Sequence, residues 1–258
     1  MSKRLRDAEL MGEDIIDTYL SEEPLCESNH PTESDEPKLR RFVVDGRESL
    51  QRPRLIGKGL HGVAILATIK GDEYVLKVFK HWKQPGPVYY RYDDAILLSP
   101  LACESRAYAR LDSRNENDGI WAAQCYGWMR LSDPQFQELG NVVDVNKHDL
   151  SRWVVVKEYI PSPTLPCDLP EIFANFEIPK RARIVPRDAR LDNYRGSKIV
   201  DLSSALTEPS PRWTKFKFEL FYGNTTFGIF QWFKGVEHAY EPPPRHRDNH
   251  LLTRPLPL

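Results

Sequence analysis

Three residues in the stretch PRDARLDNYRGSKIVDLS are of types and at spacings that could do chemistry: Asp188, Asn193 and Asp201. Asp188 and Asn193 stand five positions apart. At that spacing a carboxylate can accept a hydroxyl proton while a carboxamide oxygen reaches a magnesium ion. Asp201 follows the apolar pair Ile199–Val200 and the turn Arg195-Gly196-Ser197. A short strand is therefore expected to aim a second carboxylate at the same metal. Taken singly, each of the three also suits a turn or a cap.

Chemistry at that loop needs cations and phosphate-binding groups from elsewhere. In GKGLHGV, Gly57, Gly59 and Gly62 are spaced G-x-G-x-x-G, and VAILATI follows. Its β-branched alternation predicts a strand, so the glycines sit in a strand-turn-strand whose backbone N–H groups could approach phosphates. A plain glycine hairpin is the alternative. Lys77 lies inside the strand-like YVLKVFK, pointing either to solvent or under the glycine turn. Beyond it, Ser99 is a suitable N-cap and Pro100 a suitable first residue for a helix. On that helix Leu101, Glu104, Tyr108 and Leu111 share one face, which places Glu104 on the side to be buried. A buried carboxylate needs a partner. Lys77 is the cation that would satisfy it and still reach phosphate oxygens.

The elements that must hold these residues divide the chain into four parts. Residues 1–37 are rich in Asp, Glu and Ser, a composition that predicts a mobile acidic tail available to protein partners. Within it Ala8, Leu10, Met11, Ile15, Ile16, Tyr19 and Leu20 recur at helical spacing and would suit docking on a partner or on the domain itself. Residues 38–160 predict an α+β lobe of five strands and one helix: RPRLIGKG, GVAILATI, YVLKVFK, WAAQCYGWMRL and RWVVVKEYI are the strands, with Lys70-Gly71-Asp72-Glu73 as a turn. Residues 161–240 carry the Asp188 loop in a second, reduced lobe, and 241–258 are a Pro-rich tail.

Lys and Arg number 36 against 37 Asp and Glu, which gives no overall signal for nucleic acid. No run of about 18 apolar residues and no secretory signal are present, so no membrane role and an intracellular, nuclear or cytoplasmic, location are expected. Cys26, Cys103, Cys125 and Cys167 lack metal-ligand spacing and read as reduced thiols.

In this order the motifs resemble a protein kinase-like domain from about Pro53 to Ser203. The resemblance implies that ATP and magnesium are the cofactors. Gly57, Gly59 and Gly62 would form the phosphate-covering loop, with Val63 packing on adenine. Lys77 and Glu104 would be the ion pair, and Glu158, Tyr159 and Ile160 the hinge. Asp188 would match the catalytic base, Arg190 the catalytic-loop lysine, and Asn193 and Asp201 the metal ligands. More narrowly, KGLHGVAILATIKGDEYVLKVFK, WKQPGPVYY, KEYIP and RDARLDNYRGSKIVDLS resemble fungal kinase-like proteins related to the Fta-type subunits of the kinetochore Sim complex.

The pattern also departs from that family. Pro186 stands where the catalytic-loop histidine would be, Asp201-Leu202-Ser203 replaces Asp-Phe-Gly, and 57 residues follow Asp201 without an Ala-Pro-Glu segment. The sequence thus poses two functional readings: an ATP-dependent phosphotransferase acting on a hydroxyl, or a non-catalytic, pseudokinase-type interaction module. A shortened form of a longer kinase-like protein is a third expectation.

Overall fold

The computed structural model describes residues 12–24, 36–43, 49–82, 95–143, 149–188 and 190–210, and part of 214–235. The first half builds strands β1 (Leu20–Pro24), β2 (Leu39–Arg41), β3 (Gln51–Lys58), β4 (Gly62–Ile69) and β5 (Asp72–Lys80). Helix α1 (Pro100–Ser113), strand β6 (Cys125–Arg130), helix α2 (Asp133–Val142) and strand β7 (Leu150–Glu158) follow. All seven strands join one sheet in the order β1-β2-β6-β7-β5-β4-β3. The β4–β5 hairpin closes on Lys70 and Gly71, both at positive φ (55° and 96°), the backbone sign that two-residue hairpins require.

Strand alternation sorts the apolar residues onto two faces. Leu76 and Val78 of β5 join Val154 and Val156 of β7, Val63, Ile65 and Met129 in one core, which α2 covers with Leu139. The intervening residues, Lys77 and Phe79 of β5 and Val155 and Lys157 of β7, face the other way. There α1 lies across the sheet and buries Leu101, Tyr108 and Leu111. The helix starts where the sequence places it: Ser99 Oγ accepts from Ala102 N at 3.3 Å, and Pro100 occupies the first turn.

The five-stranded sheet expected from sequence is a seven-stranded one. Each extra strand is too short or too polar to carry an alternation signal: β1 is LSEEP and β2 is LRR. Both run parallel to their neighbours, with Arg41 opposite Trp128 of β6. Their approach depends on Gly127, at φ 115°, where a Cβ would lie 2.3 Å from the Arg40 carbonyl oxygen. Helix α2 was likewise not expected. It occupies part of the polar stretch after Ser132 and spends few apolar residues on its contact face.

The expectation of a mobile tail over residues 1–37 does not hold for Gly12–Pro24, which form a strap across the domain. Ile15 and Leu20 are fully buried in the larger core. Trp128 Nε1 donates to Ser21 O at 2.9 Å, and Trp153 Nε1 donates to Glu13 at 3.0 Å. Average composition hid this short apolar run inside acidic surroundings. Residues 1–11 and 25–35, including Ala8, Leu10 and Met11, lie outside the described residues. So do residues 83–94 and the Pro-rich 241–258.

The second half is built of short pieces: α3 (Leu169–Ala174), α4 (Glu177–Arg181), β8 (Ile184–Val185), β9 (Tyr194–Arg195), β10 (Lys198–Ile199) and β11 (Leu206–Thr207). Strands β9 and β10 form a hairpin, and β11 pairs with β8. Phe176, Phe218 and Tyr222 stack at centroid distances of 5.5 and 5.6 Å as its aromatic centre. Helix α1 grips this half. Arg106 Nη2 donates to Thr207 O at 3.0 Å and also to Pro209 O, and Arg110 Nη2 donates to Glu208 O at 2.8 Å. Among the described residues no helix is long and apolar enough to cross a membrane.

If the strap is part of the fold, Leu20→Ala lowers the unfolding free energy by about 2–5 kcal/mol. The exposed Glu22→Ala changes it by no more than about 0.5 kcal/mol. Urea denaturation of the two variants checks the difference.

Candidate functional site

The site begins with strand parity. In the β5–β7 pairing Lys77 stands opposite Val155 and Val75 opposite Lys157, so the two lysines are diagonal neighbours on the face that α1 covers. Glu104 comes down between them with its side chain wholly buried. Its Oε2 accepts from Lys77 Nζ at 2.5 Å and its Oε1 from Lys157 Nζ at 2.7 Å. Lys157 also donates to Val200 O at 2.6 Å, and Lys77 to Asp201 Oδ1 at 2.6 Å. Two cations thus face two carboxylates, and the cluster carries no net charge.

The Asp201 segment is equally committed. Asp201 Oδ1 accepts from Ser203 N at 2.8 Å and from Ser203 Oγ at 2.6 Å as well as from Lys77. Burial opposes the charge on Asp201, but Lys77 and then Lys157 outweigh it and hold the carboxyl far below the usual carboxylate range. Burial would likewise lower the Lys77 pKa, and Glu104 and Asp201 reverse that and raise it. His61, from the glycine turn, reaches the same group: its Nδ1 lies 2.9 Å from Ser203 Oγ. Ser203 has one hydroxyl proton and gives it to the ionised Asp201, so His61 Nδ1 must carry the proton of this contact. Burial, then Lys77, lowers the His61 pKa from its ordinary value.

The structure brings Lys77 and Glu104 together and adds Asp201, which the sequence reading gives to a metal, to the same group. It also places Asn193 against Asp188, with Asn193 Nδ2 donating to Asp188 O at 2.7 Å. The Asp188 carboxylate is engaged by Arg190 through Nε at 2.6 Å and Nη2 at 2.9 Å. Arg190 is mostly exposed there, folded onto Asp188 where the resemblance implied a cation over phosphates.

Glu158, at the expected hinge, accepts from Gln124 N at 3.0 Å and from Lys198 Nζ at 2.8 Å, and its own N–H donates to Gln124 O at 2.8 Å. Ile160 lies half-buried just beyond β7. Val63 does not belong to the site. It directly follows Gly62 and faces the α2 core at 1 % exposure, on the opposite side of the sheet from Lys77. The residue paired with Lys77 is Ala64, and parity gives that position, not Val63, to the site face.

The three glycines have different reasons. At Gly62 a Cβ would sit 2.3 Å from Val78 O, so packing demands glycine. Gly57 and Gly59 meet nothing closer than 3.6 Å, and nothing inside the fold excludes a side chain there. The turn is closed by Gly59 N donating to Gly62 O at 2.9 Å and Lys80 Nζ donating to Gly59 O at 2.9 Å.

One oxygen of Asp201, Oδ1, already takes three donors, with a lysine ammonium 2.6 Å from it. Asn193 spends its Nδ2 on the Asp188 carbonyl, and its Oδ1 is the atom a magnesium ion would take. Among the described residues no group of three or more His, Cys, Asp or Glu is placed to hold a metal. Cys103, Cys125 and Cys167 are free thiols. Burial pushes the Cys103 thiol up to about 11.

Residues 20–206 match the family model of the kinetochore Sim4 complex subunit FTA2. The chain belongs to that family. The matched span opens with β1 and closes in β11, so it contains the strap's strand, the glycine turn and every residue of the buried cluster. Among curated proteins none matches the chain. A solved structure described as "WaaP in complex with acyl carrier protein" aligns with 74% of this chain and 90% of that one, at 13% identity and a TM-score of 0.34. That likeness is too slight to support an argument about fold or ligand.

Sequence reasoning missed Lys157 and the His61–Ser203 contact. The first had a signal, since a lysine in WVVVKE with the parity of Val155 must be buried on the Glu104 side. The second joins residues 142 positions apart and had none.

Two outcomes test the cluster. Glu104→Ala leaves two lysines buried without their shared carboxylate and costs about 3–5 kcal/mol, whereas replacing Lys77, Glu104 and Lys157 by Met together with Asp201 by Leu recovers most of it. Chemical denaturation of the single and quadruple variants measures this. Because the Asp201 carboxyl is depressed in the folded state, its contribution is complete above the unfolded carboxylate value of about 4 and is lost as pH falls below it. Stability measured from pH 7 downward therefore falls more steeply below about pH 4 in the wild type than in Asp201→Asn.

Proposed function

We propose that this FTA2-family chain is a non-catalytic, kinase-like subunit of a protein assembly at the kinetochore, acting in the nucleus through protein partners. The observation that carries the reading is the closure of the Lys77–Glu104–Lys157–Asp201 cluster upon itself. In a phosphotransfer site the lysine paired with the helix carboxylate and the metal carboxylate must both still reach the nucleotide, since positioning and charge stabilisation at the transferred group carry its catalysis. Here Lys77 binds both carboxylates, Lys157 adds a second cation behind it, and Ser203 donates to the same Asp201 oxygen as Lys77. The cluster works as a strut that joins sheet, α1 and the 200–203 segment.

The family match supports the assembly role, and the packed strap supports a rigid scaffold for it. The phosphotransferase reading is favoured by one contact, Asn193 to the Asp188 carbonyl, which orders the loop as a catalytic loop would be ordered. The bidentate Arg190 ion pair on Asp188 weighs against it, because it occupies the carboxylate that would accept the hydroxyl proton.

Purified protein incubated with magnesium-ATP and protein acceptors is expected to transfer no more γ-phosphate than its Asp188→Ala variant. Transfer in the wild type that the variant loses overturns the reading. Co-expression with the other subunits of the Sim4 complex is expected to give one co-eluting species on gel filtration, checked by subunit stoichiometry.

A further inference from the structure

Residues 216, 218–220, 222–224, 227–228 and 231–232 are helical, and they are apolar on two opposite sides. Phe218, Tyr222 and Trp232 face inward and pack on the larger core. Phe216, Leu220, Gly223 and Phe227 recur at i, i+4, i+7 and i+11, which aligns them as one stripe on the far side. There Phe216 is 76 % exposed, Leu220 47 % and Phe227 62 %. A helix that is apolar all round belongs inside a structure, and the chain's own core covers one side of this one. Single exposed apolar residues need no explanation, but an aligned run of them marks a contact surface.

Helices α3 and α4 turn the stripe into a groove. Phe173 of α3 and Glu177 and Lys180 of α4 stand along it, facing Glu219, Gly223 and Phe227. At Gly223 an added Cβ would meet nothing within 4 Å, so packing inside the fold does not call for glycine. A bare backbone there lets another helix come close. The rim is acidic. Glu177 and Glu219 are exposed, while the ammonium of Lys180 is turned onto Glu177 at 3.7 Å and lies 5.7 Å over the Tyr222 ring. Burial, then Glu177, Tyr194 and Glu219, raise the Tyr222 pKa, so both carboxylates act on the groove.

We propose that this groove docks an amphipathic helix of a protein partner whose apolar side is flanked by lysines or arginines. The inference rests on the reading of the chain as a subunit that works through protein partners, and adds to it the place and the chemistry of one contact. The partner's apolar side chains cover Phe173, Leu220 and Phe227 in the manner of a helix laid in a groove. Its cations meet Glu177 and Glu219 at the rim, where charge pairing sets orientation and choice of partner more than affinity.

The experiment uses the full chain and a fluorescent synthetic peptide of about 20 residues, long enough to hold a helix, with leucines along one side and lysines beside them. Titration is expected to show saturable binding that weakens at least about tenfold in the double variant Phe216→Glu with Phe227→Glu. Replacing the peptide's lysines by glutamates is expected to weaken binding at least about tenfold, and Glu177→Lys with Glu219→Lys to reverse that preference. All four positions are exposed, so thermal melts of the variants are expected to match the wild type. Absence of binding, binding that the phenylalanine variant keeps, or equal binding of the two peptides overturns the proposal. Self-association in sedimentation that the phenylalanine variant abolishes assigns the face to a second copy and overturns it too. So does a rise of at least about tenfold in peptide affinity on deleting residues 241–258, which assigns the groove to the chain's own end. In co-expression with the other subunits of the Sim4 complex, the phenylalanine variant is expected to drop out of the species that the wild type joins. A variant that stays in overturns the groove and leaves the assembly reading standing; a wild type that fails to join overturns the assembly reading, and the peptide titration still decides the groove.

Discussion

The burial of one carboxylate organises this molecule. Glu104 has no access to water, and an ionised group so placed is tolerable only when its charge and its lone pairs are all met. Meeting them takes a lysine from each of two adjacent strands, which fixes the register of β5 against β7. It also requires α1 to cross the sheet at the height where both ammonium groups converge. Each lysine then has donors to spare, and these reach Asp201 and the Val200 carbonyl, so the segment from the second half is drawn into the same point. Sheet, helix and loop meet there, each supplying part of what satisfies the charges.

That economy makes the cluster ambiguous as a sign of function. The residue types and their order along the chain are those of a phosphate-handling site, yet the same residues, closed upon one another, are a complete structural solution. A site that awaits a ligand keeps some polar capacity unspent, and in this one two of the three donors of Lys77 and the bonded oxygen of Asp201 are spent internally. The FTA2-family match covers all of it, and what that family places around the chain is other protein.

Much of this was legible in the sequence where a local rule acts. Ser99-Pro100 announces a helix start, Lys70-Gly71-Asp72-Glu73 announces a turn that the fold tightens to Lys70 and Gly71, and the buried-face position of Glu104 demands a cation. The same parity rule, applied one residue further, would have named Lys157 and would have assigned Ala64 in place of Val63. What stayed hidden has a common cause. β1 and β2 have three to five residues each and draw their stability from Trp128 and Gly127, far along the chain. The pairing of His61 with Ser203 exists only once the two halves are docked. Contacts made by topology leave no trace in local pattern.

The grip of α1 on the second half has a consequence of a different kind. Arg106 and Arg110 take hold of the carbonyl oxygens of Thr207, Glu208 and Pro209, and a carbonyl is the one acceptor that every residue type supplies. Substitution can therefore wander through positions 207–209, so long as the backbone path is kept, without loosening the hold. At positions 106 and 110 no such freedom exists, because only a long guanidinium side chain spans the gap with its donors already splayed. Among relatives, the two arginines should persist, and where Glu208 persists the cause is its own ion pair with Arg183 and not this grip.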